Sequence, residues 1–190
     1  MIKVIGEITA ESTLRYFEQV DFSRQSTPVL ISSPGGDIGY TLAMLDEIDE
    51  NKRTTKATGF CQSAAAVLAT AGEGKRICTA DCLFRFMPPK KELVITMVDG
   101  KPYSDGTSSV PDFGYYTHSL LVARLAARLK TSIGDISLMF DGEFISSTRA
   151  KELGLIDEVI FTEASNVERN LDRFPGSESQ ADGTGNDCPF

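Results

Sequence analysis

The stretch from Val29 to Met87 constrains this chain most, because it repeats one local grammar twice. The first copy is an apolar run, Val29-Leu30-Ile31, then Ser32-Ser33-Pro34-Gly35-Gly36, then a helix-like segment from Asp37 to Glu50. The second runs from Thr54 to Ser63 and continues into Ala64 to Gly72, which is almost all small residues. An apolar run without alternation predicts a strand covered on both faces. Strand, helix, strand, helix in this order predicts a parallel sheet with right-handed crossovers. Each turn opens a helix, and a helix start carries N–H groups that attract developing negative charge. Two such turns side by side would form an oxyanion hole, with Ser63 at the start of the second helix.

Composition narrows the partners. The 190 residues suffice for one α/β domain with a core, and 41% apolar residues fit a globular chain rather than a disordered one. The net charge is −8, and basic residues never run beyond a pair such as Lys90-Lys91. Nucleic acid and an anionic membrane are therefore excluded as main partners. No apolar stretch approaches the length of a membrane span. Glu7 interrupts any signal-peptide pattern, so the expected location is cytoplasmic. Cys61, Cys78, Cys82 and Cys188 read as small hydrophobes of a reducing compartment. Cys78 and Cys82 lack a second Cys/His pair to complete a zinc set. No metal and no cofactor is expected.

Along the chain, Ile2 to Ile8 alternates and predicts a strand. Thr9 is the expected cap of a helix over Glu11 to Val20 with Leu14, Phe17 and Val20 on one face. Leu42, Leu45 and Ile48 mark the inner face of the next helix. Ile77 and Leu83 to Met87 predict further strands. Glu92 to Val98, Asp99-Gly100 and Lys101 to Tyr103 predict a hairpin with a tight turn. Tyr115 to Lys130 predicts a long helix with Leu121, Leu125 and Leu129 in line. Ile133 to Phe140 is a second helical piece, leading to Asp141-Gly142. Ser147 or Thr148 is expected to cap the next helix, Gly154 to end it, and Val159 to Phe161 to form the last strand. The expected organisation is one domain over 1–162 and a flexible acidic tail over 163–190.

Three ordered blocks carry a resemblance. They are Ser33-Pro34-Gly35-Gly36; Gly59-Phe60-Cys61-Gln62-Ser63-Ala64-Ala65-Ala66; and Ala69-Thr70-Ala71-Gly72 with Gly74-Lys75-Arg76 close behind. Together with Phe144 to Ala150 and Leu153 to Asp157, they resemble the proteolytic subunit of the Clp protease, a serine peptidase within the wider crotonase-like superfamily. The resemblance covers roughly residues 2 to 162. It implies an α/β fold, a spiral of parallel ββα units, with a handle of hairpin plus long helix at about 88–135. It also implies that Ser63 stands at the nucleophile position and that Gly36 and Ala64 supply oxyanion-hole N–H groups.

The resemblance breaks where the base should be. Counting from Lys75-Arg76, the family's histidine falls at Met87; counting back from Phe144, its aspartate falls at Gly142, with Asp141 one residue away. A serine hydroxyl without an adjacent base is a poor nucleophile. The expected function is thus a Clp-protease-like serine peptidase subunit, weakly active or inactive, on peptide substrates. It would act in a homo-oligomeric ring or in a mixed ring with an active paralogue. Two alternatives stay open: an active peptidase using Lys90 or Lys91 as an unorthodox base, and a crotonase-like acyl-thioester-binding protein. Cys61, two residues before Ser63, would share its face in a strand and could stand in as nucleophile. His118, the single histidine, is expected at a surface or interface. Met1 is followed at once by the first strand, so the family's axial loop, and with it coupling to an AAA+ ATPase, is expected to be missing.

Overall fold

The computed structural model describes residues 1–88, 96–98, 101–103 and 113–161. Lys90, Lys91, Cys188, most of the handle loops and the expected tail lie outside the described residues. The chain begins with β1 (Ile2–Ile5), α1 (Ala10–Asp21), β2 (Val29–Ser33), α2 (Ile38–Asn51), β3 (Thr55–Gln62) and α3 (Ala64–Thr70). It continues with β4 (Arg76–Thr79), β5 (Leu83–Arg85), the antiparallel hairpin β6 (Thr96–Val98) and β7 (Lys101–Tyr103), and α4 (Phe113–Leu129). It closes with α5 (Ile133–Met139), β8 (Phe144–Ser146), α6 (Ser147–Glu152) and β9 (Glu158–Ile160).

The main sheet runs β1-β2-β3-β4-β9, all parallel, with β5 attached to β3 and β8 to β5. The hub is β3. Its first half, Thr55 to Ala57, pairs with β4; its second half, Phe60 to Gln62, pairs with β5. Gly59 sits between the halves at φ +63, a conformation that costs glycine little. The strand can therefore change neighbour without leaving the sheet, which gives the fold its spiral. The expected parallel sheet is present, and β8 adds one antiparallel pairing with β5, Arg85 opposite Phe144.

The core lies between this sheet and the helices. All seven residues of α3 are buried, and Met44, Leu45 and Ile48 of α2 and Leu121 and Leu125 of α4 are buried with them. Small side chains allow α3 this burial without voids. Two sequence expectations fail locally. Leu14 is 62% exposed, while Thr13 and Tyr16 turn inward. The phenol of Tyr16 donates to Glu47 Oε2 at 2.5 Å, and Glu47 Oε1 accepts from Arg53 Nε at 2.7 Å. That buried polar set fixes the face of α1 that packs. The cap of α6 is Ser146, not Ser147 or Thr148; its hydroxyl accepts from Arg149 N–H, while the Ser147 hydroxyl donates to Ala80 O.

Candidate active site

Two turns meet at the end of β3. The Ser33 hydroxyl accepts from Gly35 N–H at 3.0 Å and holds the first turn. Gly35 has φ +96, and a Cβ there would lie 2.7 Å from Gln62 O and 2.9 Å from Ser63 Cβ. Gly36 has φ +148, and a Cβ there would lie 2.2 Å from Ile8 O. The Pro-Gly-Gly sequence is therefore demanded by main chain pressed against main chain, on one side by the second turn and on the other by the segment after β1.

Ser63 occupies a strained elbow, with φ 51 and ψ −127. Such a conformation costs a non-glycine residue on the order of 1–3 kcal/mol and persists only where the surroundings impose it. Here Ser63 N–H donates to Arg85 O at 2.7 Å, and Ser63 O accepts from Ala66 N–H at 3.1 Å. The Ser63 hydroxyl does not cap α3. An ordinary N-cap serine has extended backbone and uses its oxygen on the helix; Ser63 does neither. Among the described residues, nothing takes up the N–H of Gly36 or of Ala64. A sharp strand-to-helix turn with a half-buried, unengaged hydroxyl is the local geometry of a nucleophile elbow.

The elbow also settles Cys61. Strand alternation stops at the elbow, so Cys61 does not share the surroundings of Ser63. It is fully buried and its Sγ donates to Ile31 O at 3.5 Å. The Cys82 thiol is pushed up by its hydrogen bond with Cys61 and then by burial; burial also pushes Cys78 up to about 12. Cys61 is thus a core residue closed off from the elbow, and nothing in its surroundings supports it as a stand-in nucleophile.

On the other side, β5 and the two residues after it bury Phe84 and Phe86 in the core and leave Arg85 and Met87 half-buried. Gly142 N–H donates to Phe86 O at 3.0 Å, and Arg85 Nε donates to Gly142 O at 2.5 Å. A Cβ on Gly142 would stand 3.9 Å from Met87 Sδ and 3.8 Å from Arg85 Nη2. Met87 and Gly142, 55 positions apart in number, are thus neighbours in space. Asp141 is exposed, and its Oδ1 accepts from Glu143 N–H at 2.8 Å.

His118, expected at a surface or interface, is half-buried, with one edge of its ring turned into the protein. Its ring meets Phe140 edge-on at 4.8 Å, its Nε2 is buried without a partner, and it hydrogen-bonds the Met87 main chain. Burial lowers its pKa, and the bond to Met87 offsets only part of that. The signal that sequence reasoning missed is Arg85. In β5 it looks like one polar residue in an apolar run; only the fold puts it against Gly142.

The sequence model of the Clp protease family matches residues 2–163. This chain belongs to the Clp protease family. Among solved structures, the crystal structure of the ClpP protease catalytic domain from Plasmodium falciparum is similar, with a TM-score of 0.66 and 22% sequence identity. The match covers 85% of this chain and 84% of that one, and it shows the shared fold.

Proposed function

We propose that this Clp-family chain is a peptidase subunit whose serine site holds peptides but hydrolyses them very slowly or not at all, acting in an oligomeric ring. The observation that carries the reading is the junction of Met87 and Gly142. Counted from the blocks that resemble the family, these are the positions expected for the base and for the carboxylate that orients it. Here a thioether borders a residue with no side chain. A thioether does not take a proton from a serine hydroxyl at neutral pH. Disabling one member of such a triad costs on the order of a million-fold in turnover, leaving the oxyanion hole and binding alone. Ser63, with the free N–H groups of Gly36 and Ala64, supports that remaining half. His118 does not rescue the base, because its free nitrogen is sealed in the protein beside Phe140.

The test is hydrolysis of fluorogenic peptides by the parent chain against a Ser63→Ala blank. The expected rates agree within a few-fold. A parent rate hundreds of times the blank would overturn the reading and turn attention to Lys90 and Lys91. Oligomerisation is supported by exposed apolar side chains on α5, Ile133 at 59% and Leu138 at 76% exposure. Light scattering should give a mass several times 20.6 kDa, for this chain alone or mixed with an active paralogue. A monomer under both conditions would rule the ring out.

A further inference from the structure

Arg85 holds a charge that no carboxylate among the described residues pairs. Buried Arg53 and Arg76 and half-buried Arg124 each bond a carboxylate, from Glu47, from Asp157, and from Asp46 with Asp49. Arg85 has no ion pair among the described residues. Its Nε donates to the Gly142 carbonyl, and its guanidinium stands 4.8 Å from the centre of the Phe144 ring. A carbonyl and a ring face orient the guanidinium without neutralising it. The two Nη groups remain as donors. Beside them is the spot where Gly142 has no side chain, bordered by Arg85 Nη2 and Met87 Sδ. The main chain of Arg85 is bonded to Ser63, and Arg85 is the ladder partner of Gln62. Three exposed apolar side chains lie along the neighbouring strands: Phe60, Leu83 and Phe144.

We infer that Arg85 makes this site select carboxylates, so that the peptide it retains is one bearing a free C-terminal carboxylate or an acidic side chain beside Ser63. The inference rests on the peptide-holding reading above. A planar guanidinium fixed at Nε presents its remaining N–H groups to a carboxylate in one orientation, which a solvated lysine does not. The net charge of the chain is −8, so its overall field opposes an anion. A preference for acids would therefore be local to Arg85 rather than a general attraction.

The test is fluorescence anisotropy on the full chain with fluorescein-labelled alanine–leucine octapeptides. One ends in a carboxylate, one in an amide, and one carries a central glutamate with the amide end. At least one acidic peptide should bind about ten-fold more tightly than the neutral amide, and which one does so identifies the source of the carboxylate. Arg85→Gln should abolish the difference, and Arg85→Lys should retain only part of it, with circular dichroism reporting the fold of each. Should Arg85→Gln not fold, Arg85→Lys and the salt sensitivity of the native preference decide. Equal binding of acidic and neutral peptides, or a preference that survives Arg85→Gln, overturns the inference and leaves the peptide site standing. Binding of none of the three removes the peptide-holding reading itself.

Discussion

The junction of Gly35 with Ser63 is made of main chain, whereas the junction of Met87 with Gly142 is made of side-chain space. On the first side a single added carbon would collide at 2.7 Å with Gln62 O, or at 2.2 Å with Ile8 O if placed on Gly36. On the second side an added carbon meets nothing nearer than 3.8 Å. Both sides contain positive-φ residues, Ser63 at 51 and Gly142 at 86, so backbone conformation alone does not separate them. Packing does. The parts of the site that the fold itself builds change only at a cost to the stability of the spiral. The parts that hang on side chains can change and leave the fold whole.

The largest effect that would break this contrast is recovery of hydrolysis. Met87→His with Gly142→Asp should give little, because an aspartate at 142 would start 3.8 Å from Arg85 Nη2 and pair with it. Adding Arg85→Met should free that carboxylate to orient the new imidazole. The triple variant should exceed the double by on the order of a hundred-fold in kcat/KM, since a triad acts as a unit. Fluorogenic-peptide kinetics check this; a fully active double variant would show that Arg85 does not intercept the carboxylate.

Stability should divide the two sides next. Gly36→Ala should cost upwards of about 3 kcal/mol, because the obstacle is the main chain of Ile8. That corresponds to a drop in Tm of roughly 10 °C. Gly142→Ala should cost only about 1–2 kcal/mol, the left-handed penalty alone. Urea melts measure both, and equal losses would refute the division. A smaller effect of opposite sign is expected at the elbow. Ser63→Gly should be about 1 kcal/mol more stable than Ser63→Ala, since only glycine relaxes at φ 51 and ψ −127.

The smallest expected effect is a pH dependence at His118. Burial holds its folded pKa below the ordinary value near 6.5. The unfolded chain therefore binds the proton first. The stability that the neutral ring contributes is whole above about pH 6.5 and is lost as pH falls toward the folded pKa. His118→Phe should flatten that part of the stability profile in melts between pH 7.5 and 5. An unchanged slope would mean that other groups carry it.

Much of the architecture was legible in the residues alone. Alternation, small-residue runs and Gly/Pro punctuation located the strands and helices that frame Ser63, because those signals are local and repeat at the period of the element. The paired turns were readable for the same reason: Pro34-Gly35-Gly36 has few conformations to choose from. What the chain could not announce was whatever depends on contact across long separations. Leu14 looked like core on helical spacing, but the buried Tyr16–Glu47–Arg53 set turned α1 to a different face. Cys61 looked like a neighbour of Ser63 until the elbow broke the alternation. His118 carried no sequence signal for its contacts with Phe140 and the Met87 main chain. Met87, Gly142 and Arg85 became one constellation only when β8 folded back against β5. Local signals specify the turn that presents the serine; tertiary packing decides what stands opposite it, since no local rule couples residue 85 to residue 142.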